Sequence, residues 1–179
     1  GETHPLSTGG RAFTILLIIL GVGVVSIVLT TLAHKVIKKE VNWIYRRNKL
    51  DQIIEKIKDH TIFCGYGRLS RIAAKRVKDA GLPLLIVDSN EERCLKAQEA
   101  GFLTLKGDIT TEETLLAAGI MRAKRLVSLL PKESDNLYVI LTSRELNPDL
   151  FILSRAEDEA GEKRLTRAGA TKIVSPYRV

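Results

Sequence analysis

The chain has 179 residues, a formal net charge of +7 and 45% hydrophobic residues. Two cysteines, Cys64 and Cys94, are too few for a disulfide framework or a cysteine metal site, and reduced thiols suit the cytosol. Much of the positive excess lies in residues 35–49, with no nucleic-acid motif and no interleaved aromatic stripe, so nucleic acid is not an expected partner.

The chain starts at Gly1, and its single methionine is Met121, which predicts a fragment or a processed chain. Residues 1–11 carry Glu2 and Arg11 as their only charges. Residues 12–33, from Ala12 to Ala33, form a run of 22 without charge, apolar on every face. At about 1.5 Å per residue the run reaches roughly 33 Å, the thickness of a bilayer's hydrocarbon core. It predicts a transmembrane helix. A signal peptide has a shorter apolar region and carries its positive charge first. A core helix would need no basic flank, yet His34, Lys35, Lys38, Lys39, Arg46, Arg47 and Lys49 follow. Excess Lys and Arg mark the cytoplasmic end of a span, so the C-terminal part is expected in the cytoplasm, below a cell membrane. Gly21 and Gly23 lie mid-span, where glycine allows close helix packing or a bend.

Residues 34–60 read as a basic, amphipathic linker. Leu50, Ile53, Ile54 and Ile57 recur at helical spacing, and Trp43 and Tyr45 suit the headgroup level. A surface helix and a force-carrying linker would share this pattern.

Residues 61–179 are the right length for one domain. The expected strands are Thr61–Cys64, Leu84–Asp88, Phe102–Leu105, Leu126–Leu130, Phe151–Ser154 and Lys172–Val174. Helices are expected near 68–80, 90–100, 112–118, 134–146 and 161–168. Gly81, Gly101, Gly119 and Gly169 each follow a helical stretch, where a left-handed cap favours glycine. Thr110 and Glu113 fit a capping box. Strand–helix alternation predicts a Rossmann-like, doubly wound parallel sheet of six strands, so the fold class is a membrane helix plus α/β.

Gly65-Tyr66-Gly67-Arg68-Leu69-Ser70 sits between the first strand and the first helix. Gly65 suits the tight turn, Gly67 lets the backbone approach a pyrophosphate, and Ser70 stands where a third glycine is usual. Asp88 ends the second strand, with Ser89 after it, and its carboxylate can accept ribose hydroxyls while repelling a 2′-phosphate. NAD or another adenosine nucleotide (ADP, ATP) is therefore expected over NADP. Gly107, Asp108 and Ile109 follow the third strand and Leu130 the fourth, where ligands bind in such sheets. Asp108 suits either a ligand contact or a helix-capping turn. His4, His34 and His60 all fall outside the expected sheet, and no acid–base set is placed for hydride transfer, so the domain reads as a binder rather than an enzyme.

These stretches, with Leu103 to Asp108, Leu165 to Ala170 and Val174 to Tyr177, resemble prokaryotic potassium channels that carry cytoplasmic RCK domains of the TrkA-N type. The resemblance implies that Gly1 and Glu2 are the tail of a selectivity filter, that residues 12–33 are the pore-lining inner helix and that Gly21 is its gating hinge. It implies potassium as the transported ion, a nucleotide as regulator and identical subunits, a homotetramer, as partners. Some family members bind calcium in this lobe. Here Glu133 and Glu157 stand in the comparable stretches, but Arg155 replaces an expected acid, so calcium is not expected. The rival readings are a tethered regulator of a separate potassium transporter and a membrane-anchored NAD oxidoreductase.

Overall fold

The computed structural model describes residues 9, 13, 15, 17–26 and 52–175. The chain divides into two compact units, Gly1–Asn48 and Lys49–Val179. In the first, the described residues are helical and exposed, Phe13, Ile15, Leu17 and Val25 among them. Gly21 and Gly23 lie in this helix, and a Cβ at either would meet nothing within 4 Å. Among the described residues no helix is long and apolar enough to cross a membrane. The expected span, Ala12–Ala33, runs beyond them, and so do Gly1, Glu2 and the basic run 34–49.

The second unit is a six-stranded parallel sheet. Its strands are β1 (Thr61–Cys64), β2 (Leu84–Asp88), β3 (Leu103–Lys106), β4 (Arg125–Ser128), β5 (Phe151–Arg155) and β6 (Lys172–Val174). The connecting helices are α1 (Arg68–Asp79), α2 (Glu91–Glu99), α3 (Glu112–Ala117), α4 (Glu133–Leu146) and α5 (Glu159–Arg167), with a 3-10 turn at Ile120–Arg122. Strand order is β3-β2-β1-β4-β5-β6, the doubly wound order, with a change of direction beside β1. In register, Cys64 stands level with Val87 on β2 and Ser128 on β4.

Alternation along the strands sorts two cores. Ile62, Cys64, Leu85, Val87, Leu126 and Ile152 pack with Leu115, Val139, Ile140 and Leu165 from the helices. Phe63, Ile86 and Val127 pack with Ala74, Ala97 and Phe102 on the other side. Each fully buried Leu or Ile contributes about 1.5–3 kcal/mol relative to exposure.

Boundaries depart from expectation for identifiable reasons. β3 starts at Leu103 because the Phe102 N–H is donated back to Ala97 O, closing the end of α2. β4 ends at Ser128 because the Asn136 side chain takes both backbone groups of Leu130. α5 starts at Glu159, earlier than expected, because Asp158 accepts from Gly161 N at 2.6 Å and so caps it. The cap of α3 is Thr111, not Thr110: Thr111 Oγ1 accepts from Thr114 N, while Thr110 bonds Asp108. His60 belongs to the packed unit rather than preceding it. It is fully buried, and Ile54, in a short helix at 52–56, joins the first core.

Candidate functional site

A cavity of about 860 Å³ opens at the C-terminal ends of the strands, around the change of strand direction. Its floor is the β1–α1 turn. Gly65 has φ +83°, a left-handed conformation that disfavours any side chain, and its N–H donates to Val87 O at 2.7 Å. Gly67 differs. Its φ of −79° and ψ of −176° are open to any residue, and a Cβ there would meet nothing within 4 Å. The fold does not demand this glycine, and its absent side chain leaves backbone bare toward the crevice.

α1 starts at that bare backbone. Gly67 supplies no side-chain cap, and the first turn of α1 holds no acid. The helices α2, α3, α4 and α5 each have at least one acid in the first turn, and α2, α3 and α5 have side-chain caps as well. The N-terminal amides and positive dipole end of α1 are therefore left for an anion. Arg68, Leu69 and Ser70 line the cavity here, with Ser70 packed beneath at 2% exposure, as a small residue in the third-glycine position requires.

Asp88 is 4% exposed and fixed from both sides. Its Oδ2 accepts from Tyr66 N at 2.7 Å, and its Oδ1 accepts from Asn90 N at 2.8 Å. Arg93 Nε lies 3.2 Å from Oδ1. A carboxylate has about four acceptor sites, so Asp88 both clamps the glycine turn and keeps capacity for a ligand hydroxyl. Ser89 lines the cavity beside it. Gly107 packs closely, since a Cβ there would come 2.8 Å from Thr114 Cγ2. Asp108 accepts from Thr110 N and Thr110 Oγ1 at 3.0 and 2.7 Å, and the Thr110 hydroxyl bond first of all holds its carboxyl below the usual range. Asp108 thus forms the turn before α3 and still faces the cavity, as do Ile109 and Leu130.

Of the described residues singled out as cofactor-binding, only Tyr66 does not line the cavity. Its ring packs on Phe102 with centroids 5.8 Å apart, and its contribution to the turn is a backbone N–H. Several cavity residues escaped the sequence reading. Arg93 and Asp135 line it, and Asn136, 1% exposed, holds the β4 loop in place. An asparagine among Leu137, Val139 and Ile140 on a helix was the available signal. Cys64 also reaches the cavity, where burial pushes its thiol up to about 12 despite an opposing bond from Ser128. It is a thiol at neutral pH and not an activated nucleophile.

The fold and the crevice place residues 61–175 in the doubly wound, Rossmann-like class of nucleotide-type domains. Residues 61–176 match the family model of the TrkA-N domain, and the chain belongs to that family. Residues 1–38 match the ion channel family model, which supports the inner membrane helix. Over its whole length the chain is 34% identical to "Probable potassium channel protein 2" of Methanocaldococcus jannaschii, covering 53% of that protein. The chain spans about half the length of the curated relatives it matches. The TrkA-N domain of the inner membrane protein YbaL from Escherichia coli is 25% identical, with a TM-score of 0.66 over 69% of this chain and 91% of that one. The GsuK channel, solved bound to NAD and bound to ADP, superposes with TM-scores of 0.63 and 0.64 at 22% identity. Those matches cover 97% and 98% of this chain and 32% and 46% of those chains.

Proposed function

We propose that this chain is the inner-helix and sensor part of a potassium channel subunit whose opening is controlled by an adenine nucleotide, NAD or ADP/ATP. The observation that carries the reading is the bare Gly67 backbone at the uncapped start of α1, facing a buried, clamped Asp88 across one cavity. The channel relatives and the NAD- and ADP-bound GsuK structures support it.

The residues fit such a ligand. The α1 amides would hold a phosphate, Asp88 a ribose hydroxyl, and Leu130 the apolar wall. In this reading residues 1–11 form the turn after the filter, 12–33 line the pore, 34–60 couple, and 61–179 sense. Gly1 and Glu2 end the filter and Gly21 is the hinge. Identical subunits, four in number, surround the pore in a cell membrane, with the sheet domain in the cytoplasm. The domain acts as a regulator and not a catalyst: its cavity thiol is unactivated, and His60 lies in the core rather than on the cavity wall. A nucleotide shifts the gate only through its different affinity for open and closed arrangements, a coupling of about 1–3 kcal/mol in typical cases.

The test is nucleotide titration of the full chain in detergent, then potassium flux of the whole subunit in liposomes. Asp88→Ala should weaken affinity by about 2 kcal/mol, roughly 30-fold, and shift the nucleotide dependence of flux alike. Unchanged affinity and unchanged flux would sink the reading. Nucleotide binding without any flux would leave the tethered regulator in its place.

A further inference from the structure

Two cations of the cavity wall, Arg68 and Arg155, form no ion pair among the described residues; Arg68 is exposed to solvent, whereas Arg155 is partly buried. Arg93 is paired with Asp88, and other arginines of the domain are also engaged: Arg122 with Ile54 O, Arg144 with Gly169 O and Arg164 with Glu133. Arg155 ends β5, lines the cavity and is partly buried, and its Nε is closed off from solvent with no hydrogen-bond partner. Among the described residues it forms no ion pair, and Asp135, the acid of the neighbouring α4 turn, is not within pairing distance. A desolvated guanidinium N–H without an acceptor is costly, and a fork of five donors suits a phosphate or carboxylate presented in its plane.

Position narrows the acceptor. Strands in a sheet lie about 4.8 Å apart, so β5, two strands from β1, starts its loop roughly 10 Å from the glycine turn. β2, with Asp88, lies on the opposite side of β1. A nucleotide with its ribose at Asp88 and its first phosphate on the α1 amides points its remaining length along β4 toward β5. Arg155 shares its side of the sheet with Leu153, which packs into the second core on the α1 side.

We propose that Arg155 holds the anionic group beyond the first phosphate, so that this site selects nucleotides carrying at least a diphosphate over nucleoside monophosphates. The proposal rests on the nucleotide reading above and adds its specificity. Arg155 supplies at the far end of the crevice the cation that α1 supplies at the near end.

The experiment compares ADP with AMP by calorimetric titration of the full chain in detergent, for wild type, Arg155→Gln and Arg155→Lys. Wild type should bind ADP at least about tenfold more tightly than AMP. Arg155→Gln should weaken ADP by about 10- to 100-fold while AMP changes less than about twofold, and Arg155→Lys should restore part of the difference. Equal wild-type affinities for the two ligands overturn the proposal without any mutant. An equal loss of both in Arg155→Gln also overturns it, since that marks a structural role. If wild type binds neither, the nucleotide reading itself fails. If both bind and neither responds to Arg155, only the present inference fails.

Discussion

The two ends of the sheet are built on opposite rules. At the N-terminal end, backbone and side chains close on one another. The His60 carbonyl accepts from Lys124 N at 3.0 Å, and His60 Nε2 lies 2.9 Å from Ala118 O. Asn147 Nδ2 donates to Ile120 O and Ala123 O, and Arg122 donates to Ile54 O in the short helix at 52–56. At the C-terminal end donors are left open: the α1 amides have no side-chain cap, and Arg155 Nε has no partner among the described residues. An end whose backbone carbonyls are matched in this way stabilises the domain, even though His60 Nδ1 and Thr61 Oγ1 are buried there without a partner. An end whose polar groups are left over can bind something else. The contrast predicts that substitutions at the two ends will separate binding from stability.

The largest expected effect is on binding. Gly67→Val puts a branched side chain where a Cβ meets only open crevice. Nucleotide affinity should fall by about 3 kcal/mol through lost close approach, while stability stays within about 1 kcal/mol because the φ and ψ suit any residue. Titration and thermal unfolding of the same sample check both halves, and a joint loss would break the contrast. The opposite result is expected from Asn147→Ala. It strips the Ala123 carbonyl of the Asn147 donor, leaves the Ile120 carbonyl with only the Ala123 N–H, and should cost about 1–2 kcal/mol of stability with nucleotide affinity unchanged.

How much of this was legible in the sequence follows the same division. Gly65, Gly67 and Ser70 could be read because a strand, a turn and a helix start are local, and their spacing carries the geometry. Asp88 could be read because it closes a five-residue apolar strand. The strand alternation likewise carried the sheet, with boundaries shifted where a cap or the Asn136 side chain took a backbone group. Arg93 could not be placed, since its partnership with Asp88 depends on how α2 turns back over β2. Asp135 and Arg155 reach the cavity only through the pairing of β4 with β5 and the seating of α4, which no local pattern encodes. Tyr66 serves the turn through its backbone N–H, which donates to Asp88, a role the identity of its side chain does not encode. His60 misled because a polar residue before a strand reads as linker, although its neighbours across the sheet bury it completely.

His60 also gives the smallest effect, one confined to the closed end. Burial lowers its pKa from 6.5, chiefly by desolvation; the bond to Ala118 O opposes this, the Arg122 charge adds to it, and Asp59 opposes it. Its Nε2–H donates to Ala118 O, so Nδ1 is the nitrogen that would take a second proton, and Nδ1 is buried with no partner. Protonation would therefore place an unmatched N–H and a second positive charge beside Arg122. A folded pKa below the unfolded value means that the unfolded chain binds the extra proton first. The domain should hold full stability above pH 6.5 and lose some as the pH falls through 6.5 toward the lowered value. His60→Gln keeps a donor for Ala118 O and removes the titration, so its unfolding temperature should vary less between pH 7 and about pH 5 than that of the wild type. Nucleotide affinity, set at the other end of the sheet, should not follow that change. If affinity and stability instead fall together as His60 protonates, the two ends are coupled, and the junction of the 52–56 helix with the sheet becomes the place where binding is passed toward the N-terminal unit.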